Sequence, residues 1–130
     1  MTLEPGLTGG ASVTVTGDLT AAALGSGNVA VYSTPAMIAL LEAAAINALA
    51  GYLDEGQTSV GTRLDVQHLT ATPVGMSVQA TATLKEVDGR RLVFEVSASD
   101  EVEEIGRGSH ERFVVDQARF EQRTQSKRAR

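Results

Sequence analysis

The sequence has no cysteine, and none of its 130 positions lies in a run of 18 apolar residues. The absence of cysteine excludes disulfides, thiol nucleophiles and thiolate metal ligands. The first ten residues contain no basic segment followed by an apolar one, so no secretory leader is predicted, and no membrane-spanning helix is expected. We therefore expect a soluble, cytoplasmic protein that does not bind a membrane.

Aromatic residues are scarce, at 4% of the chain, whereas alanine and glycine are plentiful. Packing must therefore rely on aliphatic side chains and on the close approach of small residues, which would bring a helix and a sheet near each other. With 42% hydrophobic residues, the chain is long enough for one domain with its own core. We assign this domain to residues 1–118.

Basic residues are concentrated at the C-terminus. Residues 119–130 carry five basic residues and one acidic residue, a net charge of +4, and the part of the chain before them has a net charge of −9. Nucleic acid is not expected as a ligand, because attraction to phosphate needs a basic surface. Residues 119–130 are predicted to be a charged, frayed and solvated tail.

One segment has the pattern of a buried helix, over Pro35–Ala50. Thr34 is a suitable N-cap, proline fits the first helical position because it lacks an N–H, and Gly51 supplies the end. Seven of the sixteen residues are alanine, and only two side chains are polar. A helix that is apolar on nearly every side is predicted to be buried.

The rest of the pattern is typical of strands with alternating apolar residues. Asp88 and Gly89 form a hairpin signal between two of them. The predicted inward residues of these two strands are Val78, Ala80, Ala82, Leu84, Leu92, Phe94, Val96 and Ala98. The predicted strands are Ala11–Thr16, Thr62–Thr70, Met76–Val87, Arg91–Ser99 and Ile105–Val115.

This order of elements predicts an α+β protein with an antiparallel sheet wrapped around one long buried helix, the hotdog fold. A single sheet of this kind cannot cover its helix fully, and its edge strand is open to pairing. We therefore expect a homodimer or a dimer of dimers. Gly106 and Gly108 in the last strand are expected to let the sheet approach the helix.

Three polar residues stand at otherwise apolar positions. Glu42 is the only charge of the predicted helix, and His68 shares a strand face with Leu64 and Val66. Each has a structural explanation: Glu42 could face water at a dimer seam, Thr34 could only cap the helix, and His68 could be a hydrogen-bonded core histidine. Together they supply a hydroxyl, an imidazole and a carboxylate, which acyl transfer requires.

Two other kinds of site are not supported. His110 is the only other histidine and has no zinc-type ligand spacing. The Gly-rich segments do not lie between a strand and a helix, as a phosphate-binding loop requires. We expect no metal and no cofactor.

Four segments are similar to hotdog-fold thioesterases of the fluoroacetyl-CoA thioesterase type. They are VYSTPAMIALLEAAA, GTRLDVQHLTATPVGM, VDGRRLVFEVSASD and EIGRGSHERFVV, between Val31 and Val115. The resemblance implies hydrolysis of a short acyl-CoA thioester, with coenzyme A as part of the substrate. It implies catalytic roles for Thr34, Glu42 and His68. His68 and Glu42 would activate Thr34 or a water for attack, and Glu42 would act either as a base or as a nucleophile that forms an anhydride.

The same resemblance implies substrate-binding roles for two further residues. Gly61 matches a glycine whose N–H contacts the thioester carbonyl, and Arg112 matches an arginine near the coenzyme A end of the site. Since Pro35 has no N–H, an oxyanion hole near the helix start would have to use Ala36 or Gly61. The fluoroacetyl-CoA enzyme has aromatic residues before its catalytic threonine, whereas residues 25–30 have none.

Two alternative functions remain open at this point. A hotdog hydratase or dehydratase would also use a histidine and a carboxylate but would leave the thioester intact. A non-catalytic acyl-CoA-binding protein would bind the same ligand and release no thiol.

Overall fold

Strand β1 spans Thr8–Thr14, the short helix α1 spans Ala21–Leu24, and the long helix α2 spans Thr34–Ala48. Four strands follow and a terminal helix completes the chain in this computed structural model, which describes residues 2–130. These later elements are β2 (Gln57–His68), β3 (Ser77–Asp88), β4 (Arg91–Ser99), β5 (Glu104–Asp116) and α3 (Gln117–Gln125). Two short 3-10 helices lie at Gly17–Leu19 and Ser126–Ala129.

The strands form one antiparallel sheet in the order β1-β3-β4-β5-β2. Helix α2 packs mainly on β1 and β3 and makes few contacts with β2. The predicted alternation of β3 and β4 is confirmed, because all eight inward residues are at most 1% exposed. The sheet therefore covers one side of α2 mainly through β1 and β3, and β2 is an edge strand that contacts the helix little.

The start of α2 differs from the prediction by one residue. Ser33 is the N-cap, and its Oγ accepts a hydrogen bond of 3.2 Å from the N–H of Ala36. Thr34 is instead the first helical residue, so the prediction that it caps the helix is wrong. Because Ser33 supplies the cap, the hydroxyl of Thr34 is left for other contacts. The same bond engages the N–H of Ala36, which is thus not a free oxyanion donor.

Helix α2 is buried on one side only. Met37, Leu41, Ala44 and Ala45 are fully buried, whereas Ile46 is 50% exposed. Residues 34, 38, 42 and 46 are spaced four apart, so they lie along one stripe of the helix. None of these four residues is buried in the single chain, and the prediction of an all-round buried helix is wrong for this stripe.

The predicted close approach of small residues is confirmed where β1 crosses α2. A Cβ atom on Gly9 would lie 2.7 Å from the Cα of Ala48 and closer still to two backbone atoms of α2. Asn47 of the helix donates a 2.8 Å hydrogen bond to the carbonyl of Gly10. Glycine is needed at position 9 because backbone lies against backbone there.

The glycines of β5 have two different neighbours. A Cβ on Gly106 would lie 2.8 Å from the Cε of Met37, which confirms that this glycine lets the sheet approach the helix. A Cβ on Gly108 would instead lie 2.6 Å from the Cα of Val66 in β2. The prediction for Gly108 is therefore wrong, since its neighbour is the edge strand.

The charged C-terminal segment is exposed but not irregular. Helix α3 begins after Asp116, whose side chain accepts a 3.0 Å hydrogen bond from the N–H of Arg119. Every residue of α3 is exposed. The predicted solvation of this segment is confirmed, whereas the expected fraying of residues 119–125 is wrong because the Asp116 cap supports a helix.

Candidate active site

The first part of the site is a hydroxyl–imidazole pair at the start of α2. The Oγ1 atom of Thr34 lies 2.7 Å from Nδ1 of His68. The helix contributes the threonine, and the last residue of β2 contributes the histidine. Sequence positions 34 residues apart are thus joined by a hydrogen bond of the kind that activates a hydroxyl nucleophile.

The second ring nitrogen of His68 has no hydrogen-bond partner among residues 2–130, although it is buried. Burial lowers the pKa of His68 below its ordinary value of 6.5. The ring is therefore neutral at pH 7 and can accept a proton. A buried nitrogen without a hydrogen bond costs free energy of folding. Buried polar groups of this kind are often found in functional sites.

A cleft of about 320 Å³ opens beside this pair. Its wall includes Val29, Val31 and Leu69 together with Thr34 and His68. The apolar side chains would accommodate a hydrocarbon group, and the polar pair lies at the same cleft.

Tyr32 also lines the cleft, but it does not supply a base. Burial raises the pKa of Tyr32 to about 12, and its hydroxyl donates a 3.2 Å hydrogen bond to the carbonyl of Ala36. The phenol therefore remains protonated at neutral pH and holds the first turn of α2 in place.

The second part of the site surrounds Glu42. Its Oε2 atom accepts a 3.1 Å hydrogen bond from Nη1 of Arg112, whose side chain is 5% exposed, whereas the Glu42 side chain is 34% exposed. Arg112 also donates from Nε to Oγ of Ser59 at 2.8 Å and from Nη2 to the Ser59 carbonyl at 2.9 Å. The guanidinium is thus held in a fixed orientation beneath a carboxylate that solvent reaches.

Gly61 lies directly against this carboxylate. A Cβ on Gly61 would overlap Oε2 of Glu42 and would lie 3.3 Å from Nη1 of Arg112. Gly61 and Arg112 are register partners across β2 and β5. A glycine is required here because the backbone of β2 approaches the end of the acidic side chain.

We expect Gly61→Ala to lower kcat by about tenfold for hydrolysis of the short acyl-CoA that the resemblance implies. The free energy of unfolding is expected to change by less than about 1 kcal/mol. The new methyl group would meet the flexible end of Glu42, so the carboxylate moves while the backbone need not. Steady-state kinetics and urea denaturation of the same preparation measure both quantities. Unchanged kcat together with normal stability would contradict this role of Gly61.

The structure brings the predicted residues together in two groups. Thr34 contacts His68, and Glu42 contacts Gly61 and Arg112. No hydrogen bond within residues 2–130 joins the groups, and the cleft beside His68 is not lined by Glu42. Thr34 and Glu42, which α2 contributes to the two groups, lie on the stripe of the helix that is not buried in the single chain.

The burial of His110 was not predicted from the sequence: its side chain is fully buried and contacts Arg63 and Arg112. The alternation of β5 would have placed His110 inward with Arg112. The residue was considered only as a metal ligand, for which its neighbours were unsuitable. Within residues 2–130, no group of three or more histidine or carboxylate side chains could hold a metal ion.

The lowered pKa values of two histidines predict how the free energy of unfolding changes with pH. Burial lowers the pKa of His68 and of His110 below 6.5, and the charge of Arg112 further lowers that of His110. Below about pH 6.5 the unfolded chain therefore binds more protons than the folded chain, and the free energy of unfolding falls. We expect a decrease of at most about 1.4 kcal/mol per pH unit for each histidine between about pH 6.5 and 5. Urea denaturation across this range measures it, and stability that increases towards pH 5 would contradict the assignment.

Comparison with known proteins gives consistent matches. A family model for the fluoroacetyl-CoA-specific thioesterase matches residues 15–118. A fluoroacetyl-CoA thioesterase from Streptantibioticus cattleyicolor is 45% identical over 97 residues, which cover 75% of this chain and 70% of that protein. A solved structure of the fluoroacetyl-CoA thioesterase has a TM-score of 0.90 and 37% identity, with 96% of this chain and 97% of that chain covered.

More distant structures have the same fold. A Thermus thermophilus protein described as a thioesterase superfamily member has a TM-score of 0.89 and 26% identity, with 97% of this chain and 93% of that chain covered. A hot-dog-like protein from Thermanaerovibrio acidaminovorans has a TM-score of 0.85 and 27% identity, with 95% and 91% covered.

The predicted α+β hotdog fold is thereby confirmed, and the fold and its relatives define a hotdog-fold thioesterase, a hydrolase that acts on thioesters. Within this class, the chain belongs to the fluoroacetyl-CoA-specific thioesterase family. No helix within residues 2–130 is long and apolar enough to cross a membrane.

Proposed function

We propose that this enzyme hydrolyses a short-chain acyl-CoA thioester to the free acid and coenzyme A. Thr34, His68 and Glu42 are the proposed catalytic residues, and Gly61 and Arg112 are the proposed substrate-binding residues. The observation that carries the proposal is the 2.7 Å contact between Thr34 and a histidine whose second nitrogen has no partner in the part of the chain that the structure describes.

The proposed reaction uses the two groups in turn. The Oγ1 atom of Thr34 attacks the thioester carbonyl carbon while its proton passes to Nδ1 of His68. The carbon–sulfur bond then breaks, and the imidazolium returns the proton to the departing thiolate of coenzyme A. A water molecule then gives a proton to the carboxylate of Glu42 and adds to the threonine ester. The bond between the acyl carbon and Oγ1 of Thr34 breaks, the proton passes from Glu42 to Oγ1, and the acid leaves. These steps need only side chains and water, so we propose no cofactor apart from the coenzyme A of the substrate.

The substrate-binding roles follow from what lies beside Glu42. Gly61 brings the backbone of β2 to this carboxylate, so its N–H is the proposed donor to the thioester carbonyl. Arg112 uses one N–H at Nε, both at Nη1 and one at Nη2 within the chain. One N–H at Nη2 remains for the coenzyme A part of the substrate.

We propose that the enzyme acts as a homodimer or a dimer of dimers. The open stripe of α2 includes Ile46, which is 50% exposed, and it carries Thr34 and Glu42 of the two site groups, while β2 is an edge strand of the sheet. A second copy would cover this apolar surface and close the site. A chain that sediments as a monomer at assay concentration would contradict this assembly.

We propose that the acyl group is short, and the cleft of about 320 Å³ beside Thr34 and His68 would hold such a group. The solved fluoroacetyl-CoA thioesterase variants include complexes with fluoroacetate and CoA and with acetyl-CoA. Since residues 25–30 contain no aromatic side chain, we do not extend the fluoroacetyl preference to this chain.

The cysteine-free composition and acidic body support a cytoplasmic location.

We expect purified enzyme to release free thiol from acetyl-CoA and propionyl-CoA faster than from a long-chain acyl-CoA. Thiol release is followed with a chromogenic disulfide, and the acid product is identified by mass spectrometry. With crotonyl-CoA, whose acyl group has the double bond that a hydratase needs, a hydrated product that retains the thioester would instead indicate a hydratase. Ligand-induced thermal stabilisation without thiol release would indicate a binding protein.

A further inference from the structure

His110 is the most completely enclosed polar residue of the sheet. Its side chain is fully buried, and its ring stacks on that of Phe94 with a centroid distance of 6.2 Å. Both of its nitrogens have partners: Nδ1 lies 2.8 Å from the carbonyl oxygen of Arg63, and Nε2 lies 3.2 Å from Nη1 of Arg112.

These two partners allow only one form of the imidazole. A carbonyl oxygen can only accept, so Nδ1 must carry a proton, and a guanidinium can only donate, so Nε2 must be unprotonated. His110 is therefore the neutral Nδ1–H tautomer. Although Nε2 also lies 4.0 Å from Oε2 of Glu42, an ion pair between them would require a proton on Nε2, where it would face the N–H of Arg112.

The contact to Arg63 depends on a local irregularity of β2. The register with β5 shifts between Gly61 and Arg63, which leaves Thr62 as an extra residue. Bulges of this kind change the direction in which backbone groups point. Here the bulge lies where the Arg63 carbonyl meets the His110 ring.

The contact to Arg112 connects His110 to the candidate active site. Nη1 of Arg112 has two N–H groups, and its two contacts are Nε2 of His110 and Oε2 of Glu42. Because one N–H points at Nε2 of His110, the direction of the other N–H, which binds Glu42, is restricted. Ser59 fixes the rest of the guanidinium.

We propose that His110 is a positioning residue, which uses the unprotonated Nε2 of its Nδ1–H tautomer to hold Nη1 of Arg112 and thereby orients the Glu42 carboxylate. This inference rests on the catalytic role proposed above for Glu42. It assigns no contact between His110 and the substrate.

Two isosteric variants separate this role from simple packing. His110→Gln places an amide oxygen near the position of Nε2 and keeps an acceptor for Arg112, whereas His110→Asn places an amide nitrogen near Nδ1 and keeps only the bond to Arg63. We expect His110→Asn to lower kcat for acetyl-CoA by about tenfold with KM changed by less than about twofold. We expect His110→Gln to retain kcat within about threefold.

If His110 only fills space, the loss of kcat in each variant will correlate with its loss of melting temperature and not with which hydrogen bond it keeps. That result would overturn the proposal. Nitrogen-15 NMR of the wild-type imidazole gives a readout that does not depend on activity or on folding of a variant. We expect the Nδ1–H pattern at neutral pH, and protonation of both nitrogens or of Nε2 alone would also overturn it.

The same measurements distinguish this proposal from the proposed function. A Glu42→Gln variant as active as the wild type would contradict the catalytic role of Glu42, whatever the behaviour of His110. A strong loss in Glu42→Gln, combined with full activity of a folded His110→Asn, would contradict only the positioning role.

Discussion

Replacing His68 with alanine is expected to lower kcat for short-chain acyl-CoA hydrolysis by about 10²- to 10⁴-fold, the usual contribution of general acid–base catalysis. Nδ1 of His68 is the proposed proton acceptor for Thr34, at 2.7 Å. Without the ring, the hydroxyl of Thr34 loses the acceptor for its proton. The free energy of unfolding should change by less than about 1 kcal/mol, because loss of the bond to Thr34 is offset by removal of Nε2, a buried nitrogen without a partner within residues 2–130.

The matched control is His68→Asn. An asparagine can still form a hydrogen bond near the position of Nδ1, but its amide does not take up a proton at neutral pH. We therefore expect His68→Asn to be about as inactive as His68→Ala in the thiol-release assay. An asparagine variant within about threefold of wild-type kcat would show that His68 only orients Thr34.

The largest expected effect on stability is that of Gly9→Ala. A methyl group at this position would penetrate the backbone of α2, with the Cα of Ala48 at 2.7 Å. Neither partner can move alone, because β1 is paired with β3 and Asn47 ties the helix to Gly10. Overpacking of this kind costs about 3 kcal/mol, so we expect the midpoint of thermal unfolding to fall by roughly 10 °C.

The neighbouring glycine provides the control. A Cβ on Gly10 would lie 3.0 Å from Nε2 of Gln79, which is the flexible end of an amide side chain and can move aside. We expect Gly10→Ala to change the free energy of unfolding by less than about 1 kcal/mol. Equal melting temperatures for Gly9→Ala and Gly10→Ala would show that β1 does not lie directly on the helix backbone.

Much of the fold could be predicted because its elements have regular patterns. Strand β4 occupies the predicted Arg91–Ser99, and α2 differs from its prediction by one residue at the start and two at the end. Strand β1 begins three residues before its prediction. Gly9 and Gly10 weaken a strand pattern, and the contact with α2 explains the glycine at position 9.

The helix cap could not be decided from the sequence. Serine and threonine are both suitable N-caps, and Ser33 and Thr34 both precede the proline. The structure selects Ser33 because its Oγ reaches the N–H of Ala36. This one-residue difference makes Thr34 available to His68.

The contacts of Glu42 were equally hidden in the sequence. The carboxylate is anomalous in the sequence because it is the only charge of the predicted helix. Its partner Arg112 is 70 residues away and reaches it only because β5 lies beside β2. The bulge at Thr62, which brings the Arg63 carbonyl to His110, has no signal in a single sequence.

The central claim is that Thr34, His68 and Glu42 act on one thioester although a single chain holds them in two groups. The most direct test is a double-mutant cycle on kcat with His68→Ala, Glu42→Gln and the double variant. Residues that act as a unit have strongly non-additive effects. We predict that the double variant is no more than about tenfold slower than the worse single variant; losses that multiply, or single variants as fast as wild type, would contradict the claim.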